Sequence, residues 1–259
     1  MSVTESPFHH ALPPVRRLQL DRPWAWLAAG WHDLTRAPGV SLTYGAIFTA
    51  VSFLITAGVF LAGVEYLLLP LAAGFMLVGP MLAVGLYETS RRLETGEPVS
   101  LVSALFVATR SPMRLAFLGV TLMALLLIWM RAATLLLALF LGPTAFPPLA
   151  EIVPTLLLTS QGVALLVVGA ACGALLAAAV FAISVVSVPL LMERDLDFAT
   201  AVFTSVQAVL RNPKPMLLWA WLVVLLTAIG LATCFLGLIV TFPLVGHATW
   251  HAYRETVGR

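Results

Sequence analysis

Long apolar runs are the feature of this sequence that most restricts its fold. A helix that crosses a bilayer needs about 20 mainly apolar residues, because each residue rises 1.5 Å across a core about 30 Å thick. Four runs have this length: residues 40–63, 66–88, 115–142 and 161–190. A fifth run, residues 216–252, is too long for one span, and Gly230 and Gly237 favour its division into spans at 216–232 and 235–253. The pattern predicts an all-α polytopic membrane protein with six transmembrane helices.

The composition excludes a soluble domain. Hydrophobic residues make up 61% of the chain and charged residues 10%, whereas soluble domains carry roughly 25% charged residues. The net charge is only +2 and the basic residues are scattered, so the expected partner is the lipid bilayer and not nucleic acid. The spans contain no acidic pair, no Ser/His/Asp set and no Gly-rich phosphate loop. An enzymatic activity is therefore not predicted.

The distribution of basic residues predicts the orientation of the chain. With six spans, every Lys and Arg except Arg131 falls in segments on one side of the membrane. Because Lys and Arg are enriched in cytoplasmic segments, we expect a multi-pass protein of the bacterial inner membrane with both termini in the cytoplasm. Residues 1–23 are polar and rich in proline, and we expect them to form a disordered cytoplasmic arm. The membrane domain is then 24–255 and the cytoplasmic tail 256–259.

Recurring motifs predict three structural repeats. A short amphipathic segment ends three times in Arg-x-Pro just before a span: Arg36–Pro38, Arg110–Pro112 and Arg211–Pro213. The second helix of each following hairpin carries a proline near its cytoplasmic end: Pro80, Pro189 and Pro243. The shared positions predict three units, each consisting of a short amphipathic cytoplasmic helix and a transmembrane hairpin. Repeats are common in transporter folds, although those repeats are usually two-fold.

The first amphipathic segment, residues 24–36, has two interpretations. One helical face carries apolar residues and the other polar ones: Trp24, Leu27, Trp31 and Leu34 against His32, Asp33 and Arg36. Tryptophan favours the membrane–water boundary. The apolar face is therefore expected either to lie on the membrane surface or to pack on the ends of the transmembrane bundle.

The three prolines suggest a first candidate site. Each proline frees the carbonyl group four residues earlier in its helix, which gives the carbonyls of Met76, Val185 and Ile239. These groups either line a small polar site around a pseudo-three-fold axis or belong to ordinary kinks that shape the bundle.

Two histidines, His247 and His251, suggest a second candidate site. They are four residues apart and share a helix face, a spacing that can supply two metal or haem ligands. A complete metal site needs more ligands. Trp250 and Tyr253 nearby favour interfacial anchoring or hydrogen bonding instead. We therefore predict no bound cofactor, with these histidines as weak candidates.

Other residues have both a structural and a functional interpretation. Arg131 is either the partner of Glu65 or Glu151 at the outer surface or a substrate-binding charge. A ridge of small residues on the fourth predicted span, Gly169, Gly173 and Ala177, allows close helix packing. This ridge packs either within the bundle or against another protein or a second copy of the chain.

Several segments resemble a known family. They are Gly30–Pro38, Tyr44-Gly45, Gly74–Pro80, Gly85–Arg92, Arg211–Pro213 and His247–Arg254. They are similar to a family of predicted bacterial integral membrane proteins of unknown function, some members of which are labelled as resembling a cytochrome c oxidase subunit. The most specific part is the Gly-Pro…Gly-x-Tyr-Glu-x-Ser-Arg-Arg signature of residues 79–92. The resemblance implies a membrane protein class and no mechanism.

Three functional classes remain open from the sequence. The first is a non-catalytic accessory or assembly component of a membrane complex, favoured by the scarcity of polar residues in the spans. The second is a small-solute transporter or channel, with the proline kinks and Arg131 near its pathway. The third is a haem- or metal-handling protein that uses His247 and His251.

Overall fold

The computed structural model describes residues 12–107, 111–142 and 149–258, and over these residues the regular structure is helical. The all-α prediction is thus confirmed for the described chain. In chain order the helices are α1 (Arg22–Arg36), α2 (Pro38–Leu61), α3 (Leu68–Leu82), α4 (Val84–Thr95), α5 (Leu101–Leu105), α6 (Pro112–Leu141), α7 (Leu149–Leu158), α8 (Ser160–Ser184), α9 (Ser187–Glu193), α10 (Phe198–Arg211), α11 (Pro213–Ala232) and α12 (Leu238–Val257).

Within the described residues, five segments are long and apolar enough to cross a membrane. They are Pro38–Leu61, Glu65–Thr95, Pro112–Leu141, Ser160–Glu193 and Pro213–Ala232. They coincide with the first five predicted spans, and the second and fourth each contain two consecutive helices. The sixth predicted span corresponds to α12, which has 20 residues but a polar second half. Five membrane-spanning segments are thus supported, and the sixth span stays a prediction.

The turn between α11 and α12 lies within the predicted division of residues 216–253. Helix α11 ends at Ala232, and Cys234 and Phe235 adopt positive φ angles of 51° and 66°. Residues with a side chain rarely adopt this conformation outside turns. The chain reverses direction here, between Gly230 and Gly237.

Burial is concentrated at one end of the molecule, which we call the cap. The cap consists of α1, α4, α5, α9, α10 and residues 246–257 of α12. Its largest fully buried side chains include Trp26, Leu190, Trp250 and Tyr253. In two of the spans, by contrast, burial is low. Only 11% of the most apolar 18-residue stretch is buried in Pro112–Leu141 and in Ser160–Glu193. Lipid covers an apolar span at no cost, but helices outside the hydrocarbon must bury their apolar faces against protein.

Two spans break near the cap, and neighbouring side chains bind the backbone groups at each break. Between α3 and α4, the Tyr44 hydroxyl donates to the carbonyl of Leu82 at 2.7 Å. Between α8 and α9, the Val186 amide donates to Ser205 Oγ at 3.1 Å. Each break lies three or four residues from one of the recurring prolines of the sequence, Pro80 or Pro189. These hydrogen bonds tie the first break to α2 and the second break to α10.

The residue before the proline has nearly the same backbone conformation in each Arg-x-Pro motif. The φ and ψ angles are −129° and 54° at Ala37, −134° and 59° at Ser111, and −128° and 53° at Asn212. The proline begins α2, α6 and α11 in turn. A proline disfavours the helical conformation at the preceding residue and is itself favoured as the first residue of a helix. Arg110 lies outside the described residues.

Residues 12–21 differ from the expected disordered arm. They run extended along the cap, and the Arg16 amide donates to the Thr256 carbonyl at 2.8 Å. The Asn212 side chain accepts from the Leu18 amide at 2.8 Å and donates to the Arg16 carbonyl at 2.9 Å. This segment is therefore held by residues distant in sequence, which its own composition does not reveal. Residues 1–11 of the predicted arm lie outside the described residues, and the predicted tail instead completes α12 through Val257.

We expect Asn212→Ala to release this N-terminal segment. The variant loses both side-chain bonds to residues 16–18, each worth about 1 kcal/mol, so the open state becomes roughly tenfold or more populated. Trypsin should then cleave after Arg16 and Arg17 faster, which mass spectrometry of the fragments measures. Ser111→Ala, at the corresponding junction before α6, is the control and should leave these two cleavage rates unchanged. Unchanged cleavage in Asn212→Ala would contradict the assignment.

Candidate functional site at the base of the cap

Helix α12 carries both candidate histidines and packs against α1, α2, α4 and α11. The approach of α1 and α2 is very close. A Cβ atom added to Gly30 would lie 2.7 Å from the Ala248 amide nitrogen, and one added to Gly45 would lie 2.9 Å from Ile239 Cα. Because only glycine permits these contacts, polar side chains of neighbouring helices come together along α12.

His247 is fully buried between two hydroxyl groups. Its Nε2 atom lies 2.9 Å from Ser41 Oγ of α2, and its Nδ1 atom lies 2.8 Å from Ser90 Oγ of α4. Both serines are also buried. A serine hydroxyl can donate and accept, so both nitrogens of the neutral ring have a hydrogen-bond partner.

His251, one turn further along α12, lies at the edge of the cap. Its Nε2 atom is 2.7 Å from Asp33 Oδ2 of α1, and the Ser90 hydroxyl lies close enough to the Asp33 carboxylate to help lower its pKa. Five side chains are thus connected in series, and we call them the polar chain: Ser41, His247, Ser90, Asp33 and His251. The His251 side chain is 28% exposed, whereas Ser41 is fully buried. The polar chain therefore leads from the protein surface to the first turn of α2.

The position of Asp33 corrects the expected orientation of α1. The helix buries Trp26, Gly30 and Leu34 together with Asp33, while Trp24 and Trp31 stay exposed. Asp33 is buried because His251 and Ser90 bind its carboxylate. The helical pattern of residues 24–36 places Asp33 on the polar face. The partners that allow its burial lie far away in the sequence, so this pattern does not reveal them.

The Asp33 carboxylate should make stability depend on pH. Burial by itself raises the pKa of Asp33, but hydrogen bonds from His251 and Ser90, with the nearby imidazoles, outweigh burial and lower it from 3.8. A lowered carboxyl pKa gives stability that is present above the unfolded-state value and lost as the pH falls through the folded-state value. We therefore expect the cap to lose stability below about pH 4, and Asp33→Asn to flatten this dependence.

Thermal unfolding of wild type and Asp33→Asn between pH 3 and 7 measures the effect. Asp21→Asn is the control, since Asp21 is exposed and caps α1 without a side-chain hydrogen bond. A pH dependence below pH 4 that is equally steep in Asp33→Asn would contradict the role of this carboxylate.

A second polar group, the central bridge, joins three helices at Arg254. The guanidinium lies 3.0 Å from Glu94 Oε1 of α4 and 2.9 Å from Glu193 Oε1 of α9. Trp250 Nε1 donates to Glu94 at 3.2 Å, and the Tyr253 hydroxyl donates to Glu193 at 2.5 Å. The ends of α4, α9 and α12 are thereby held together.

The Tyr-Glu-x-Ser-Arg-Arg signature lies in α4, the helix that contributes Ser90 to the polar chain and Glu94 to the central bridge. Glu88 is buried, and Arg91 and Arg92 bind its carboxylate at 2.7 and 2.6 Å. A buried carboxylate is tolerated when it is paired in this way. Ser90 belongs to the polar chain. The most specific motif of the sequence therefore supplies ion pairs and a polar-chain residue within the cap.

The other predicted site residues are not brought together with the polar chain. Pro80 and Pro189 lie near the helix breaks, and Pro243 lies inside α12. Arg131 and Glu151 are exposed and Glu65 is partly exposed. In the described part of the chain, no ion pair joins Arg131 to either glutamate. The freed Ile239 carbonyl faces Gly45 closely, so it lies in a helix contact.

The small-residue ridge of α8 packs partly within the bundle. A Cβ atom added to Gly173 would lie 3.0 Å from the Trp129 ring of α6. Ala177 packs in the same cluster, whereas a Cβ atom on Gly169 would meet no neighbour within 4 Å. Two of the three residues therefore serve the contact between α6 and α8.

Sequence reasoning identified His247 and His251 but missed their partners. Ser41, Ser90 and Asp33 lie on three different helices, and single polar residues near span ends carry no recognisable spacing. Among the described residues, no three His, Cys, Asp or Glu side chains are placed to hold a metal ion. The arrangement forms a path of adjacent polar groups from His251 to Ser41.

Comparison with known protein families finds a match for the middle of the chain. The profile of the family described as predicted integral membrane protein (DUF2189) covers α3 to α9. Residues 68–193 match the DUF2189 family. The match confirms the resemblance inferred from the signature of residues 79–92. DUF2189 is a family of unknown function. No curated protein and no solved structure matches the chain.

Proposed function

We propose that the protein is a non-catalytic accessory or assembly component of a membrane complex. The observation that carries the proposal is the exposure of α6 and α8: only 11% of their most apolar stretches is buried, which leaves faces that other membrane helices can cover in place of lipid. The side chains of the polar chain bond to one another, and so do those of the central bridge. The cap is well packed, whereas the apolar faces of α6 and α8 have few neighbours within the protein. This combination is expected of a protein whose spans contact other membrane helices.

Hydroxyl groups in the spans support this role over transport. The side chains of Ser52, Thr121 and Thr134 each donate to a carbonyl three or four residues earlier in their own helix. Hydroxyls bonded in this way contribute little polar lining to a transport route.

The test is the composition of the native complex. A tagged protein, expressed at its native level and extracted gently, is analysed by native mass and mass spectrometry. A photo-crosslinker at the exposed Leu175 of α8 should capture a defined membrane protein, whereas one at the exposed Leu54 of α2 is the control. Recovery of only a monomer or homo-oligomer, without a crosslink at Leu175, would overturn the proposal.

A small-solute transporter or channel is the second candidate, and the polar chain is the observation that favours it. Its connected groups reach from a partly exposed histidine to the first turn of a span. Reconstitution in liposomes tests this candidate. Flux that Ser90→Ala abolishes, in a variant that still folds, would favour transport over the accessory role.

The third candidate, haem or metal handling, is disfavoured by the contacts of its ligands. Both ring nitrogens of His247 already lie within hydrogen-bond distance of serines, and His251 Nε2 is bound to Asp33. An absorbance scan and metal analysis of the pure protein test this candidate. A Soret band or stoichiometric metal that His247→Ala removes would revive it.

We also propose six spans in three units, with both termini in the cytoplasm of a bacterium. The nearly identical angles at Ala37, Ser111 and Asn212 support the repeat. Two junctions also hold the segment before an amphipathic helix: Ser111 binds the Arg194 carbonyl before α10, and Asn212 binds residues 16–18 before α1. Reporter fusions at residues 63, 96 and 258 test the topology, which requires only the first to be periplasmic.

A further inference from the structure

The acidic side chains of the cap are largely used in internal ion pairs. Seven carboxylates have a basic partner: Asp33, Glu88, Glu94, Glu97, Glu193, Asp195 and Glu255. Three exposed cations around the junction between α10 and α11, in contrast, form no ion pair within the described chain: Arg17, Arg211 and Lys214. We call these three the basic patch.

The docked N-terminal segment brings the basic patch together. Asn212 binds the backbone on both sides of Arg17, at the Arg16 carbonyl and the Leu18 amide. The Arg211 guanidinium donates to the Val15 carbonyl at 3.4 Å. Lys214 follows Asn212 by two residues, in the first turn of α11. Residues from two ends of the sequence therefore place three positive charges at one helix junction.

An exposed apolar face continues directly from the basic patch along α11. Lys214, Leu217, Trp221 and Leu225 recur at helical spacing on this face. Leu217 is 73% exposed and Trp221 is 59% exposed. Because α11 is one of the membrane-capable segments, we expect this face to meet acyl chains and the basic patch to lie at the depth of the lipid headgroups.

We propose that the basic patch and this face of α11 bind an anionic phospholipid. The headgroup phosphate lies among Arg17, Arg211 and Lys214, and one acyl chain lies along Leu217 and Trp221. The charges select an anionic lipid over a zwitterionic one, because the patch holds three cations without a neighbouring carboxylate partner. The assignment is independent of the accessory role.

The test compares lipids that differ only in the headgroup. Purified full-length protein in a mild detergent is titrated with fluorescent phosphatidylglycerol and with phosphatidylcholine carrying the same acyl chains. Each Lys or Arg near an anionic surface contributes about fivefold in affinity. We expect the triple variant R17Q/R211Q/K214Q to bind phosphatidylglycerol roughly a hundredfold more weakly, with little change for phosphatidylcholine.

Two further variants keep the test decisive if the triple variant folds poorly. Lys214→Gln changes one exposed residue and should lose about fivefold, whereas Lys214→Arg should retain the affinity. The matched control, R36Q/R131Q, removes two exposed cations outside the patch and should bind as wild type does. Equal lipid affinity in the triple variant and wild type, or an equal loss in the control, would overturn the proposal. Full competition by millimolar inorganic phosphate would instead assign the patch to free phosphate and overturn the lipid assignment.

Discussion

Gly45→Ala is expected to lower the stability of the folded protein by about 2–3 kcal/mol, because overpacking at a helix contact forces the backbones apart. The added Cβ would lie 2.9 Å from both the carbonyl carbon and Cα of Ile239. The obstacle is backbone, which cannot rotate away as a side chain can. The contact between α2 and α12 would open, and Ser41 would move away from His247. A lower apparent melting temperature, followed by the fluorescence of the seven tryptophans, measures the loss.

Gly58→Ala is the matched control in the same helix. A Cβ atom at Gly58 would meet nothing within 4 Å, and alanine is favoured over glycine in a helix interior by about 0.8–1 kcal/mol. This variant should be as stable as wild type or slightly more stable. Equal melting temperatures for the two alanine variants would contradict the close approach of α2 and α12.

Arg254→Met is expected to be the second strongly destabilising change. It removes the cation between Glu94 and Glu193 and leaves two carboxylates facing each other among α4, α9 and α12. Breaking a buried pair in this way costs about 3–5 kcal/mol. The glutamates are 27% and 24% exposed, so solvent screening reduces the expected loss to about 2 kcal/mol. Thermal unfolding and protease resistance of the cap measure it.

Two further variants separate the central bridge from a general effect of charge. Arg114→Met removes an arginine paired with Asp195, but that pair is 41% and 72% exposed, so the loss should stay below about 1 kcal/mol. Adding Glu94→Gln and Glu193→Gln to Arg254→Met should recover part of the lost stability, because the unpaired charges are gone. Equal losses for Arg254→Met and Arg114→Met would contradict a special role of the central bridge.

Much of the candidate site was hidden from sequence analysis because its residues are distributed over four helices. His247 and His251 were recognisable from their spacing on one helix. Ser41 and Ser90 are ordinary residues near the ends of spans, and Asp33 appeared on the polar face of an amphipathic segment. Their association depends on how α1, α2 and α4 pack against α12, which glycines at 30 and 45 permit. No local pattern encodes such contacts.

The ordered N-terminal segment shows the same limitation. Residues 12–21 have the composition of a disordered arm, and local composition is all that such a prediction uses. Their hydrogen bonds go to Asn212 and Thr256, about two hundred residues away. Arg17 joins Arg211 and Lys214 in the basic patch only because this segment lies across the start of α11.

The sequence by itself determined the class of the protein and the positions of the membrane-capable segments. Membrane insertion depends on the hydropathy of about 20 consecutive residues, and this quantity is read directly along the chain. Only the tertiary structure decided the packing of the cap, the partners of the histidines and the buried face of α1. These features depend on contacts between distant segments. A close helix contact at a glycine, or a partner for a buried carboxylate, decides which face of a helix is buried, and the local hydrophobic pattern does not show either.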